Sequence, residues 1–320
     1  MKTIVKKLLF VGVVIYFFFA CSKAEQDYAD TSLETEQSTA SDLEMDQGKD
    51  VIDLSRLTQR VPPGLEPGEY WDREGNINGL QYHVCHKKDG RKWYWISIPL
   101  SRWKLKLGYQ ILENTDSANP TFKKMDIEDW NRIAWREPTL MKVNASFFNP
   151  VKNPFSSYGP LGSKAEVAHP IGEDNKVVSL GYDPREYGSR SLVVQGRKAY
   201  VISPSCISSQ GVCSSFDLLV SGLDPAIDKR STEKIGRVMI GIDSTTRPVI
   251  NIFVTGSGSD GGATQAEAIT VLRDYLLCDE ILMLDGSASS NFCWRDKIVV
   301  KSSDALGTRN IPILLRAVRR

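Results

Sequence analysis

The residues best placed to do chemistry follow four apolar ones. Ile281-Leu-Met-Leu284 reads as a buried strand, and it stops abruptly at Asp285-Gly286-Ser287-Ala288-Ser289-Ser290. An acid at a strand end lies beside the core yet near solvent, where burial can tune it as base, nucleophile or charge stabiliser. Gly286 lets the backbone turn sharply and approach a ligand closely. Ser289 and Ser290 leave room and offer hydrogen bonds. On spacing alone, Asp285 serves equally well as the cap of a loop. Arg237 opens another apolar run, and its fork suits phosphate oxygens; a strand-edge surface charge is the plain alternative. Glu267 is a second carboxylate, but it stands three residues after Thr264, where a capping box explains it better. Asn144 ends the apolar run Leu140–Val143 and offers an amide to a sugar hydroxyl or phosphate oxygen, or simply forms a turn.

These residues need elements to hold them. Val238–Ile242 and Val249–Val254 are rich in Val, Ile and Phe and read as a hairpin around the polar turn Ser244–Arg247. A Gly/Ser loop, Gly256–Gly262, follows. It could bind an anion at the start of a helix, but it lacks the lysine and spacing of a nucleotide-binding P-loop. The helix is predicted from Gln265 to Leu277, with Ile269, Leu272 and Leu276 on one face. Gly79–Ser97 alternates as hairpin strands should, with Asp89-Gly90 as the turn. Further strands are predicted at Trp103–Ile111, Leu140–Val143 and twice within Ser191–Ile202, and a short helix at Asp126–Arg136. Asn149–Pro170 is a long loop rich in Pro, Gly and Ser, in which Tyr158-Gly-Pro160 could wall a cleft and His169 could act as acid or base. The predicted fold class is α+β: one domain, residues 61–320, with a mixed or antiparallel sheet and a few flanking helices.

Several stretches, in order, resemble the phosphodiester glycosidase family. Leu284-Asp-Gly-Ser-Ala-Ser-Ser290 looks like the family's L-D-G-G-G-S-S, and Asn144-Ala-Ser-Phe-Phe148 like N-G-G-F-F. Arg237-Val-Met-Ile-Gly-Ile-Asp243 is similar to R-T-A-I-G-x-D, and Phe253-Val-Thr-Gly256 to V-V-D-G. Gly262–Glu267 resembles G-x-T-x-x-E, and Arg309-Asn-Ile-Pro312 the closing R-x-V-P. The sequence departs at Ser287 and Ala288, at Ala145 and Ser146, and at Thr255, where an acid is usual. The resemblance implies hydrolysis of a glycosyl-1-phosphodiester or a related glycoside, with Asp285, Arg237 and Glu267 as catalytic residues. Asn144, Gly286, Ser289, Ser290, Thr255 and Gly256 would then contact a carbohydrate or phosphorylated glycan. A phosphate leaving group is a weak base, so strong acid assistance is less necessary than for ordinary glycosides. A non-catalytic glycan-binding lipoprotein on the same fold is the second reading, which the departures allow.

At the start of the chain, Lys2, Lys6 and Lys7 precede the apolar run Leu8–Ala20, the pattern of a signal peptide over residues 1–20. That run is shorter than the ~20 apolar residues of a spanning helix. Phe18-Phe-Ala-Cys21 resembles a lipobox with Cys21 as the lipidated residue; ordinary cleavage is the alternative. Ser22 suits sorting to a Gram-negative outer membrane. Residues 21–60 are acidic and lack apolar periodicity, as a flexible tether would. With 40 basic and 39 acidic residues overall, the remainder is somewhat basic, but no basic block with interleaved aromatics points to nucleic acid. No cofactor is expected, and the folded part is expected to act as a monomer. His83, Cys85 and His86 invite a metal, but strand alternation points His86 away from the other two. Calcium near Asp260 or Asp285 stays open. Among the six cysteines, Cys206 could pair with Cys213 and Cys278 with Cys293, the latter tying both sides of the Asp285 loop for ~3 kcal/mol; Cys85 would be left over.

Overall fold

A computed structural model describes residues 65–113, 119–150, 164–208, 211–212, 215–244, 248–257, 261–301 and 309–320. The expected signal segment 1–20, Cys21 and its tether, Tyr158–Pro160, Cys213 and Asp260 lie outside the described residues. Among the described residues, no helix is long and apolar enough to cross a membrane.

The predicted hairpin forms from Arg237–Asp243 and Val249–Thr255, paired antiparallel from Arg237 against Thr255 to Asp243 against Val249. It is the centre of a large sheet. On one side Val249–Thr255 pairs with Lys92–Pro99, followed outward by Leu80–His86 and Tyr70–Ile77. On the other side Arg237–Asp243 pairs with Glu280–Met283, which touches Leu218–Leu223 through Met283 and Leu223. Side chains alternate between faces. Val238, Ile240 and Ile242 enter one core, and Met239 enters another. Both faces are buried, which is why the run reads as continuously apolar.

The first core is closed by a second sheet of Trp103–Tyr109, Thr139–Asn144, Phe292–Trp294, Lys297–Val300 and Ile313–Arg319. Leu105, Met141, Val143 and Leu315 from this sheet meet Ile96, Ile240 and Ile252 from the large one. Burying each such side chain stabilises by about 1.5–3 kcal/mol. The opposite face of the large sheet is covered by the predicted helix, whose Ala268, Leu272 and Leu276 pack on Met239, Phe253 and Trp93. Thr264 caps it: its hydroxyl accepts the Glu267 N–H at 3.2 Å, and the Glu267 carboxylate accepts the Thr264 N–H at 2.7 Å. The helix is regular only over Gln265–Thr270 and widens into a π-turn at Val271–Tyr275, where the Leu276 N–H reaches Val271 at 2.9 Å. It ends at Leu277, whose φ of 55° cannot continue a helix.

The α+β expectation is overturned. Strand pairings in the three large sheets are antiparallel, and the α-helices among the described residues are two six-residue pieces, Ile127–Arg132 and Gln265–Thr270. The protein is β-rich. Two sheets cover each other directly, so only one outer face needs a helix.

The Cys278–Cys293 bond is also overturned. Both are free, buried thiols in different packing clusters. Cys278 lies against Gly241, where a Cβ would come within 2.5 Å of its sulfur, and receives the Asn251 amide at 3.5 Å. Cys293 packs with Trp130, Ile311 and Leu314. Burial pushes the two thiols up to about 12 and about 11, so neither is a ready thiolate. Cys85 is free and buried, as expected. The partner expected for Cys206 lies outside the described residues.

Candidate functional site

Strand Glu280–Met283 ends in a backbone junction held from several directions. The Leu284 N–H donates to Val238 at 2.9 Å, and the Asp285 N–H to Ala145 at 3.3 Å. Ser287 N–H donates to Gly236 at 2.6 Å. The Ser257 hydroxyl donates to the Ser287 carbonyl. Gly236 is required here, because a Cβ would come within 2.3 Å of the Ser287 oxygen and 2.5 Å of the Ser290 hydroxyl. Ser287 has a φ of 54°, a left-handed conformation that favours glycine. A short 3₁₀ turn over Ser287–Ser289 follows.

Asn144 locks the junction from the neighbouring sheet. Its side-chain amide donates to the Asp285 carbonyl, and its side-chain oxygen accepts the Asn291 N–H at 3.0 Å. It is 2% exposed. Its amide and carbonyl therefore position the loop, where sequence spacing suggested contact with substrate.

The Asp285 carboxylate reaches a pocket of about 150 Å³, lined among others by Phe147, Ile235, Arg237, Gly286 and Ser287. That is below the ~300 Å³ at the low end of drug-sized sites, so it accepts one small ring or group. Asp285 is partly exposed by surface area but densely surrounded by protein. Burial therefore dominates and pushes its pKa up to about 6, while the Arg309 guanidinium, the nearby Ser289 hydroxyl and the Gly286 N–H hold it down. Ser289 nonetheless lacks a hydrogen bond of good geometry for its hydroxyl. Ser146, Ser290 and the Asn291 side-chain oxygen are likewise buried without partners.

Arg237 lines the same pocket but spends its fork on main-chain carbonyls. It donates to Ala263 at 3.1 Å, Lys229 at 2.9 Å, Arg230 at 2.6 Å and Glu233 at 3.1 Å. It clamps the 229–233 loop that forms one wall, and only one of its five N–H donors is left over. Glu267 does not line the pocket: its carboxylate completes the helix cap and lies 3.7 Å from Arg91. Thr255 is fully buried and accepts the Arg237 N–H at 2.9 Å, holding backbone. Gly256 also lies off the pocket lining. Asp285, Arg237 and Asn144 thus converge at one junction, and Gly286, Ser289 and Ser290 lie with them.

Other residues lie near this site; of these, the sequence had singled out only His169, as a possible acid or base. Tyr182 is partly exposed, and Asp285 is among the carboxylates that, after burial, raise its pKa. Lys229 and Arg230 line the pocket, but their side chains pair with Glu186 at 2.9 Å and with Glu233. His169, read as a loop histidine, is fully buried; its Nδ1 faces the Asp183 carbonyl at 3.1 Å, and its Nε2 lies 3.4 Å from Glu186. Arg309 carries the arginine of the R-x-V-P-like stretch, the one signal that could have nominated it. For metals, Asp72, Glu74 and His86 bring ligand atoms within 4.8 Å of one another at an exposed strand pair, apart from the pocket.

No protein-family model matches the chain, and no curated protein matches it. Among solved structures, the chain is similar to the zebrafish N-acetylglucosamine-1-phosphodiester alpha-N-acetylglucosaminidase catalytic domain auto-inhibited by its pro-peptide. Identity is 16% and the TM-score 0.49, covering 81% of this chain and 85% of that one. A Burkholderia pseudomallei protein described as exported matches at 12% identity and a TM-score of 0.39, over 77% of this chain and 75% of that one. A hypothetical protein from Synechocystis matches at 12% identity and a TM-score of 0.40, over 78% of this chain and 62% of that one.

Proposed function

We propose that this protein is a glycoside hydrolase of the cell envelope that cleaves a glycosyl-1-phosphodiester or a related glycosidic bond in a glycan. One observation carries the reading: a carboxylate pushed up to about 6, fixed at a strand end and opening into a small pocket. The order of the family-like stretches supports it. The signal-peptide pattern of residues 1–20 and the lipobox-like stretch ending at Cys21 support placing it in the cell envelope.

In this reading the sugar enters the pocket against Phe147, with C1 toward Asp285. The carboxylate, ionised above its raised pKa, acts as base or nucleophile and offsets positive charge developing at C1. Asn144 holds its backbone, and Arg237 holds the facing wall. The departing phosphate needs little protonation, so a single carboxylate is enough for this leaving group.

That single carboxylate also favours a second reading. Ordinary glycosidases use two, and Glu267 is committed elsewhere. A non-catalytic glycan-binding protein would need no second acid. Hydrolysis assays on glycosyl-phosphodiesters and aryl glycosides, with Asp285→Asn as control, separate the two. Turnover lost in Asp285→Asn supports the hydrolase. Glycan binding without turnover, unchanged by Asp285→Asn, supports the binding protein.

A further inference from the structure

We propose that His169, Glu186 and Lys229 form a proton-sensitive relay beside the Asp285 pocket: a proton taken up by His169 leaves Lys229 as an unbalanced positive charge on the pocket wall, so that an anionic substrate binds more tightly in acid. This rests on the phosphodiester reading above and adds regulation of the same site by pH.

His169 is the unusual residue. Its side chain is fully buried, yet both ring nitrogens face oxygens. Nδ1 lies 3.1 Å from the Asp183 carbonyl, and Nε2 lies 3.4 Å from the Glu186 carboxylate without a hydrogen bond. A carbonyl oxygen only accepts, so it fixes the proton of the neutral ring on Nδ1. The Nε2 lone pair is then left against a carboxylate, acceptor facing acceptor. A second proton, on Nε2, turns that repulsion into a charge-assisted hydrogen bond. Burial opposes this step and lowers the His169 pKa, and the Lys229 charge adds to the lowering. The Asp183 carbonyl and the Glu186 and Asp183 charges act the other way. The ring is therefore neutral near about pH 7 and takes its second proton in acid.

Glu186 passes this change to the pocket. Its Oε2 faces His169, while its Oε1 accepts the Lys229 ammonium at 2.9 Å, and Lys229 lines the pocket with Asp285. While His169 is neutral, Lys229 and Glu186 cancel. Once it is charged, one carboxylate serves two cations, and the wall carries a net positive charge. The fold holds all three parts in place. The Ser189 N–H closes the turn on the Glu186 carbonyl at 2.8 Å, and the Asp183 N–H ties that turn to Ala168, next to His169, at 2.9 Å. Gly181 allows the close approach: its φ is 81°, and a Cβ would come within 2.3 Å of the Ala168 oxygen. Arg237 Nη1 holds the Lys229 carbonyl at 2.9 Å. The imidazole also meets the Phe147 ring edge-on, with 5.7 Å between centroids, and Phe147 lines the same pocket.

The test is calorimetric binding of dimethyl phosphate to the full chain at about pH 7.5 and about pH 5, which bracket histidine titration. This probe keeps one negative charge at both. Asp285→Asn is present throughout, so that carboxylate's own titration does not contribute. Affinity should be at least about tenfold higher at the lower pH. His169→Gln and Lys229→Met should each bind weakly at both. Glu186→Gln, at a partly exposed position, should bind tightly at both, because nothing balances Lys229. The imidazole NMR signal that vanishes in His169→Gln should titrate with a midpoint below the ordinary value of about 6.5. Equal affinity at the two pH values, a pH dependence that survives in His169→Gln, or no binding at either pH overturns the relay. Turnover of a glycosyl-phosphodiester is measured separately on the wild type. Turnover alongside a flat binding profile ends the relay and keeps the hydrolase. A pH-dependent profile lost in His169→Gln, with no turnover of any substrate, keeps the relay and ends the hydrolase.

Discussion

Asn144 grips the Asp285 loop at both ends: its amide donates to the Asp285 carbonyl, and its oxygen accepts the Asn291 N–H at 3.0 Å. The partners are separated by 141 and 147 residues along the chain. One buried side chain thereby joins the two facing sheets at the point where the carboxylate emerges.

Replacing Asn144 by Ala should leave a carbonyl and an N–H unpaired. The expected loss is about 2–4 kcal/mol, since each buried unsatisfied group costs about 1–3. Denaturant unfolding reads that loss. In kinetics kcat should fall more than KM rises, because the reacting carboxylate is misplaced while the pocket walls remain. A larger effect on KM than on kcat would return Asn144 to direct substrate contact.

For Asp285, the folded-state pKa is raised from 3.8 to about 6. The folded protein therefore binds more protons than the unfolded chain between these values. This contribution to stability is fully present below about 4 and is lost as pH rises through 6. Asp285→Asn should then stabilise the protein at pH 7 by about 1–2 kcal/mol, discounted from the full shift because the group opens to the pocket. The same ionisation sets the rate: kcat/KM should climb with pH and level off above about 6. A profile flat from pH 5 to 8 would remove the ionised carboxylate from the mechanism.

Arg237→Lys should behave as a structural lesion. A lysine cannot reach the four carbonyls that the guanidinium satisfies. Stability should fall by about 2–4 kcal/mol. Activity toward charged and uncharged substrates should fall in the same proportion. A loss selective for the phosphodiester would show that the arginine touches phosphate after all.

His83 predicts a second, opposite pH limb. It stacks on Trp95 at 4.2 Å, is 4% exposed, and burial followed by the Arg73 charge lowers its pKa to about 4. The unfolded chain takes up the proton first. The stability is present above about 6.5 and is lost as pH falls toward 4. The loss amounts to about 3 kcal/mol. His83→Phe keeps the stack and should flatten this limb in urea titrations at pH 4–7. An unchanged slope would assign the acid sensitivity to other groups.

What local chemistry dictates was legible in the sequence. Two continuous apolar runs, Val238–Ile242 and Val249–Val254, placed the hairpin, and a four-residue apolar run followed by Asp285 marked the strand end. Thr264 and Glu267 announced their cap, because both partners lie within one helical turn. These signals depend on residues a few positions apart. The fold class was not legible, since the helix covering one face suggested more helices than the facing sheets need.

Tertiary structure alone decided the rest, because a donor's partner is set by distant strand register. Arg237 looked free to hold phosphate until the chain folded four carbonyls around its fork. Cys278 and Cys293 looked able to pair until the fold buried them in separate clusters. The sequence by itself determined that an acid would stand at the rim of the core. Only the folded chain decided which cations would face it, since charge placement depends on contacts that no local pattern encodes.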